Sequence, residues 1–273
     1  MHGLTKAAGL AAGAGVGALG ACVWGSWRER RRVDGLWDAV RVRGAGRRMD
    51  GAMTERLPEP ARRYLERAIA PGTLLAGSAE LVIDGRMRLG PRKGWMSFES
   101  EEVIGDGFVW RARTRRPPIV GFDCYVGGVG ETAWRLLGVV PVAGARDADV
   151  ARSARGRFVA ELVFLPSALL PGPGVVWSGV DAEWARVTVT VDGEEVWMEL
   201  RVGEDGGLLE MRMERWGDQG VETPRLQMFG ARFGGMRDFG GVAVPGEVEV
   251  GWRPGAGDAF WFFEGEVREA VLY

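Results

Sequence analysis

The chain of 273 residues carries 35 basic and 37 acidic side chains, for a formal net charge of −2, and is long enough for one sizeable domain with its own core. Its two cysteines are too few for a disulfide-stapled fold. The one histidine is His2, which excludes Ser-His-Asp and Cys-His catalytic sites and histidine-based zinc or iron sites in the domain. We therefore predict no metal site and no catalytic residue, and a non-enzymatic role is favoured.

An uncharged run from Ala7 to Trp27 opens the chain and leads directly into arginines. A helix needs about 20 apolar residues to cross a bilayer, so we predict that residues 1–27 form an N-terminal apolar helix and membrane anchor. A spacing of four places three glycines on one helix face, which favours a homodimer in lipid, although an Ala/Gly-rich leader also gives such spacings by chance. These glycines are Gly9, Gly13 and Gly17.

The charges that flank this run predict the orientation. Residues 28–48 contain eight arginines and three acidic residues, whereas Lys6 is the only charged residue before the run. The positive-inside rule then places the domain in the cytoplasm, with residues 28–56 as a juxtamembrane linker. The alternative is a lipoprotein anchored at Cys22, because Leu19-Gly20-Ala21-Cys22 resembles a bacterial lipobox, and the domain would then lie outside.

Two classes of partner are disfavoured. Gly15 to Gly20 spell G-x-G-x-x-G, but a dinucleotide site needs a strand before these glycines, and alanine and glycine precede them here. We therefore predict no cofactor. Residues 49–273 carry a net charge of −8 once Lys6 and the arginine-rich segment are removed from the total, which disfavours nucleic acid.

The first half of the domain reads as a short helix followed by strands. The helix begins at Leu57-Pro58-Glu59-Pro60 and ends before Pro71-Gly72. Asp84-Gly85 and Asp106-Gly107 have the chemistry of turns. The predicted strands are Ala79–Leu89, Trp95–Val103, Phe108–Thr114, Ile119–Val126 and Thr132–Val140.

A second helix is predicted from Asp147 to about Leu165, where Pro166 ends it. On this helix Arg157 and Glu161 are spaced i,i+4 and are expected to form a surface ion pair. The strands then resume, with the clearest hairpin across Asp192-Gly193. The predicted strands are Arg186–Val191, Val196–Val202, Leu209–Met213, Val242–Val250 and Phe260–Val271.

These elements predict a mainly β (α+β) domain over residues 57–273. About ten antiparallel strands with two helices indicate a large curved antiparallel sheet or open barrel, with the helices covering one face.

Six sequence blocks occur in order along this domain. They are LPEPARRYL from Leu57, GFVWRA from Gly107, WRLLG from Trp134, DVARSA from Asp149, RWGD from Arg215 and FGG from Phe239. Together they resemble a family of uncharacterised bacterial proteins, frequent in actinomycetes and defined only as a domain of unknown function. The resemblance covers roughly residues 48–270 and implies no known activity. The strand order is more loosely similar to lipoprotein-carrier folds, whose half-open antiparallel barrel holds acyl chains.

Nine of the twelve tryptophans lie beyond residue 48. An aromatic-lined concave sheet would suit an apolar ligand, while a bulky core is the alternative. An arginine that faces the sheet from the second helix could pair with a carboxylate or a lipid head group. The candidate ligand-binding residues are Trp110, Arg111, Tyr125, Trp134, Arg152 and Trp216.

The sequence therefore favours a membrane-tethered binding domain for a lipid or other apolar ligand. One alternative is a histidine-free hydrolase, which needs two carboxylates at a suitable distance. Another is an interaction scaffold without a cavity. The candidate acids for hydrolysis are Asp123, Glu131, Asp149 and Asp218.

Overall fold

A computed structural model describes residues 24–273, which contain thirteen strands in one sheet. The strands are β1 Ala79–Met87, β2 Met96–Ile104, β3 Gly107–Thr114, β4 Ile119–Val126, β5 Val129–Leu136, β6 Val140–Ala145, β7 Val175–Gly179, β8 Trp184–Val191, β9 Glu194–Val202, β10 Leu208–Gly217, β11 Arg225–Asp238, β12 Ala243–Trp252 and β13 Phe260–Leu272. Their order is β6-β5-β4-β3-β2-β1-β13-β12-β11-β10-β9-β8-β7. The sheet is therefore an antiparallel meander whose first and last strands pair at its centre.

Three α-helices lie within the described residues. We name them α1, described over residues 24–40, α2, Glu59–Ala68, and α3, Ala148–Glu161. The Asp147 carboxylate caps α3 by accepting a hydrogen bond from the Val150 amide at 2.9 Å. A short 3₁₀ turn, Leu162–Phe164, continues from the end of α3.

The position of α3 shows that the sheet is strongly curved. This helix contacts both β5 and β10, which lie eight strand spacings apart in the sheet order. On a flat sheet those strands would be about 38 Å apart, whereas an α-helix with its side chains is only about 10–12 Å wide. The sheet therefore curls around α3, and we call the face that carries α2 and α3 the concave face.

The main hydrophobic core fills this concave face. Side chains alternate between the two faces of a strand, so Phe108 of β3 and Met213 of β10 both point inward, where they are fully buried. From the other side, Tyr64 of α2 and Leu169 beyond α3 are also completely buried in this core. The helices and the turns that follow α3 thus occupy the space that the curved sheet encloses.

A second, smaller core lies on the opposite, convex face beneath α1. Val33, Trp37 and Val40 of α1 pack against β2, β3 and β4 in a cluster that includes the buried Cys124. Burial raises the pKa of the Cys124 thiol to about 11. Most of the predicted N-terminal apolar helix, together with Gly9, Gly13, Gly17 and Cys22, lies outside the described residues. Within residues 24–273, no helix combines the length and the apolar character that a membrane span requires.

The structure confirms the predicted mainly β architecture and adds strands that the sequence did not indicate. These are β6, β7 and β11. β6 reads Val-Pro-Val-Ala-Gly-Ala, is exposed along its whole length, and therefore lacks the alternation by which a half-buried strand is found. The predicted helix from Asp147 is α3. The tight turn at Leu137-Gly138 ends β5 at Leu136, so only the last residue of the predicted strand Thr132–Val140 lies in β6.

The prediction of a turn at Asp84-Gly85 is wrong, because both residues lie inside β1. Asp84 pairs with Glu99 on one side and with Glu266 on the other. Glycine is required here for a close approach rather than for a turn. A Cβ atom on Gly85 would lie 2.0 Å from the Glu264 carbonyl oxygen and 2.9 Å from the Phe98 ring.

We therefore expect Gly85→Ala to lower the free energy of unfolding by about 1–3 kcal/mol, the usual range for overpacking a tightly filled site. The matched control is Gly94→Ala in the β1–β2 loop, where an added Cβ meets nothing within 4 Å. Urea denaturation of both variants measures the difference. Equal stability of the two variants would contradict this account of β1.

Candidate functional site

A row of polar side chains crosses the concave face from β2 to β5. Residues that pair directly across an antiparallel ladder point to the same face. Glu102 pairs with Trp110, Trp110 with Asp123, and Asp123 with Thr132. Because Trp110 belongs to the main core, the register also points the side chains of Glu102 and Asp123 into the space beneath α3.

Helix α3 supplies the charges that meet this row. The Arg157 guanidinium donates to Asp123 Oδ2 at 2.8 Å and to Glu161 Oε1 at 2.6 Å, and it lies 3.5 Å from Glu102 Oε1. It also stacks over the Phe108 and Trp110 rings, 4.7 and 4.8 Å from their centroids. Within the described residues no group of acidic, cysteine and histidine side chains is suited to hold a metal ion, and Arg157 is the cation that these carboxylates share.

A second, half-buried arginine reaches the same region from β10. Arg215 Nε donates to the Ser153 carbonyl oxygen at 3.1 Å, and its guanidinium lies 4.7 Å from the Phe229 ring centroid. Burial lowers the pKa of Arg215 to about 10, and the nearby charge of Arg157 acts in the same direction. We name this group the concave charge cluster. Its members are Glu102, Asp123, Arg157, Glu161 and Arg215.

Burial raises the pKa of Glu102 well above the usual carboxyl range, and the neighbouring Glu161 raises it further by charge repulsion and by a hydrogen bond. Burial opposes the charge of Arg157, but the three surrounding carboxylates outweigh it and raise the pKa of this arginine. Two arginines therefore face three carboxyl groups, and burial favours the uncharged form of Glu102.

Hydrogen bonds connect the cluster to an aromatic wall. Thr132 Oγ1 donates to Asp123 Oδ1 at 2.6 Å and accepts from Trp134 Nε1 at 2.9 Å. The Trp134 ring lies 5.7 Å from Trp110, and Phe98 lies 4.9 Å from Phe263, measured between ring centroids. Trp134 and Phe263 are only partly buried. The polar cluster is thus bordered by a continuous aromatic surface that reaches the edge of the core.

Tyr125 of β4 connects α3 to the β8–β9 turn by hydrogen bonds. Its hydroxyl donates to Asp192 Oδ2 at 2.5 Å and accepts from Arg155 Nε at 3.0 Å. Its ring stacks on Phe158 of α3, with 6.2 Å between centroids. One side chain of β4 therefore contacts both α3 and the β8–β9 turn.

The six predicted ligand-binding residues fall into three places. Trp110, Tyr125 and Trp134 lie together on the concave face, as described above. Arg152 and Trp216 lie at the start of α3, where the guanidinium stacks 3.9 Å above the indole. Arg111 lies apart from the others on the convex face, where it forms an ion pair with Asp34 of α1 at 2.9 Å.

Of the four candidate acids, only Asp123 belongs to the cluster. Glu131 pairs with Arg32 of α1 on the convex face, Asp149 accepts a hydrogen bond from the Trp216 indole, and Asp218 is exposed in a turn. Each of these three is therefore held apart from a second buried carboxylate.

Sequence reasoning missed Glu102, Glu161 and Arg215 as members of one site. The alternation of β2 did carry a signal, because Glu102 has the same parity as the buried Phe98 and Ile104. The predicted Arg157–Glu161 ion pair exists, but its placement on the surface is wrong. Phe108 and Trp110 cover the guanidinium from the sheet side.

The raised pKa of Glu102 predicts the sign of a pH effect. Above the ordinary carboxyl pKa the folded protein binds more protons at Glu102 than the unfolded chain does, so this group makes the fold less stable as pH rises. Glutamine cannot ionise. We therefore expect Glu102→Gln to gain stability relative to the wild type by up to ~1.4 kcal/mol per pH unit above about pH 4.3, measured by urea denaturation between acidic and mildly alkaline pH.

Glu199 on the convex face is the matched control with the opposite sign. It is buried, but hydrogen bonds from Arg186 and Arg212, both at 2.6 Å, hold its pKa below the ordinary value. Its stabilising effect is present at neutral pH and is lost as pH falls through the folded pKa. Glu199→Gln should therefore be less stable than the wild type at pH 7, with a gap that closes in acid. Parallel pH profiles for the two variants would overturn the proton assignment.

Comparison with known proteins places the chain in a family. No curated protein matches it. Among solved structures it is similar to a LolA superfamily protein from Nitrosomonas europaea, with 10% identity, a TM-score of 0.43, and coverage of 78% of this chain and 92% of that chain. It is also similar to a DUF1329 family protein from Desulfovibrio piger, with 12% identity, a TM-score of 0.41, and coverage of 81% and 92%. The model of DUF6544, a family of unknown function, matches residues 47–264, so the chain belongs to that family.

Proposed function

We propose that the protein is a membrane-tethered binding domain for a lipid or other apolar ligand, which it holds on the concave face beneath α3. The observation that carries this proposal is the contrast between the helix and the surface it covers. The covered surface is aromatic, whereas many of the contacts that hold α3 on it are polar.

The polar contacts of α3 reach both halves of the sheet. Arg155 and Arg157 bind Tyr125 and Asp123 of β4. On the other half, the Ser153 carbonyl accepts from Arg215 of β10, and Asp149 accepts from Trp216. Water can replace such contacts when they are exposed, because a hydrogen bond contributes only about 0.5–1.5 kcal/mol net and buried ions regain their solvation.

Both covering helices bury apolar residues, since α3 places Phe158 and Val159 in the core, but of the two only α3 forms ion pairs with residues of the sheet. α2 buries Tyr64, Leu65 and Ala68 completely in the core, so its separation would expose apolar surface at a cost of about 25 cal/mol per Å². We propose that α3 is the movable cover and α2 a fixed part of the wall. A ligand enters by displacing α3 and then packs against Phe98, Trp110, Trp134 and Phe263.

The proposal predicts uptake of cis-parinaric acid, a fluorescent fatty acid, by the purified full-length protein. Trp134→Ala should weaken this binding about twofold to twelvefold, since an aromatic contact contributes about 0.5–1.5 kcal/mol. Trp134 is suitable because it is only partly buried. Fluorescence titration measures the dissociation constant.

Trp184→Ala is the matched control for this titration. Trp184 lies on the convex face, where the Arg212 guanidinium stacks 4.2 Å above its ring. The control variant should bind the fatty acid like the wild type. If the wild-type protein takes up no fatty acid, or if both variants lose affinity equally, the proposed site is wrong.

A second candidate function is supported by the raised pKa of Glu102 and by the neighbouring Glu161. A buried carboxyl group with a raised pKa beside a second carboxylate is the arrangement of a general acid and base. In the described conformation, however, the Arg157 guanidinium occupies the carboxylate oxygens that would face a substrate. A histidine-free hydrolase would therefore also require α3 to move, and the binding role remains the first proposal.

The tether is proposed from the uncharged run that ends at Trp27, with the domain on the cytoplasmic side. We expect full-length protein to remain in the membrane fraction after an alkaline carbonate wash, and a variant that lacks residues 1–23 to be released. A Cys22→Ser variant separates the two anchors, because it leaves a spanning helix intact and abolishes a lipoprotein anchor. Soluble full-length protein would refute both forms of the tether.

A further inference from the structure

We infer that one end of the sheet is a docking surface for an anionic bilayer, an inference that rests on the tether of the proposed function. We name this end the docking edge. It comprises three hairpin tips, residues 88–95, 115–118 and 137–139, and the first turns of α1, residues 24–31.

The antiparallel meander places the three tips at the same end of the strands. The tips join β1 to β2, β3 to β4 and β5 to β6. In an antiparallel meander the chain reverses direction at every hairpin, so every second hairpin loop lies at the same end of the sheet. The pairs Met87↔Met96 and Ile119↔Leu136 mark where the ladders reach this end. At about 4.8 Å between strands, the first and last tips are roughly 20 Å apart along the sheet.

Helix α1 begins at this same end. Glu29 accepts a hydrogen bond from Arg135 Nε at 2.6 Å, and Arg30 lies beside Gly138 at the β5–β6 tip. At its other end, Val40 lies against Gly105 in the opposite β2–β3 turn. The uncharged run from Ala7 to Trp27 therefore joins the domain at the docking edge, which fixes the side of the domain that is next to the proposed anchor.

The docking edge is basic although the chain as a whole carries a net charge of −2. The first two tips contain five basic residues and no acidic residue, and all lie at least partly exposed: Arg88, Arg92, Lys93, Arg115 and Arg116. Arg115 shares Glu99 with Arg113. The first turns of α1 add three exposed arginines, Arg28, Arg30 and Arg31. Each basic residue near an anionic leaflet favours binding.

Large apolar side chains project among these charges. Leu89 is 72% exposed, Leu137 69%, Trp24 59% and Trp27 49%. Arg28 and Arg31 stack on Trp24 and Trp27, with 4.7 and 4.1 Å to the ring centroids. Tryptophan and arginine together are typical of side chains that lie at the level of lipid head groups.

Leu137 adds an observation that points to the bilayer. The backbone φ angles of Leu137 and Gly138 are 55° and 69°, and the Val139 amide donates to the Leu136 carbonyl at 3.1 Å. This two-residue turn is usually Asn-Gly, because both central residues need positive φ. A leucine here is strained and presents its side chain to water, so the fold gains nothing from it. Insertion among lipid head groups accounts for its position.

The test is hydrogen exchange of the full-length protein in phosphatidylcholine vesicles, with and without roughly one-third phosphatidylglycerol. We expect amides of the tips at residues 88–95 and 137–139 to exchange several-fold more slowly in the anionic vesicles. The edge strand β7, where Val176 is 64% exposed, is the internal control and should exchange equally in both.

Leu137→Asn separates docking from folding. Asparagine suits the turn, so this variant should have a higher denaturation midpoint without vesicles and yet lose the protection of its tip on anionic vesicles. The charge test pairs Arg92→Glu with Lys93→Glu, which should remove the protection. The matched control reverses two exposed arginines at the opposite end of the domain, Arg43→Glu with Arg47→Glu, and should retain it.

Flotation with the vesicles distinguishes the possible failures. If the protein floats but its tips exchange equally in both lipids, or if β7 is slowed as much as the tips, the docking edge is refuted while the tether stands. If the full-length protein does not float, the tether fails, and the docking edge fails with it.

Discussion

The structure depends on the contact of one helix with two distant parts of a single sheet. A sheet of thirteen strands encloses a core only if it curls, and α3 fixes the curl by packing on β5 and β10 together. Its approach to β5 needs a residue without a side chain, since a Cβ on Gly130 would lie 2.5 Å from the Ala151 Cα. The concave face, its core and its aromatic wall all follow from this bridge.

Charged side chains form much of the contact between α3 and the sheet, and they lie at the centre of the fold. Arg157 and Arg215 lie against Asp123, Glu161 and Glu102, and burial raises the pKa of Glu102. Apolar contacts hold α2, whereas α3 is held both by its buried Phe158 and Val159 and by this polar network. Water can replace the polar part of this contact when α3 leaves the sheet, which links the packing of α3 to the proposed binding role.

The two faces of the sheet serve different purposes because their coverings differ. The concave face carries the candidate site and is covered by α2, which precedes the first strand, and by α3, which lies between β6 and β7. On the convex face, α1, the first described helix, packs on β2, β3 and β4 through Val33, Trp37 and Val40. Because α1 runs from one end of the strands to the other, it also fixes where the preceding chain reaches the domain.

Local patterns in the sequence determined the strands with clear alternation, the start of α3 near Asp147, the mainly β class and the family. They also indicated Trp110, Tyr125 and Trp134 as residues of one region. The tertiary structure alone decided that Glu102, Glu161 and Arg215 meet, that Arg111 faces away, and that Gly85 lies within a strand. The reason is physical: periodicity reports which face of an element is buried, whereas the partner of a buried charge depends on register across several strands and on the curl of the sheet.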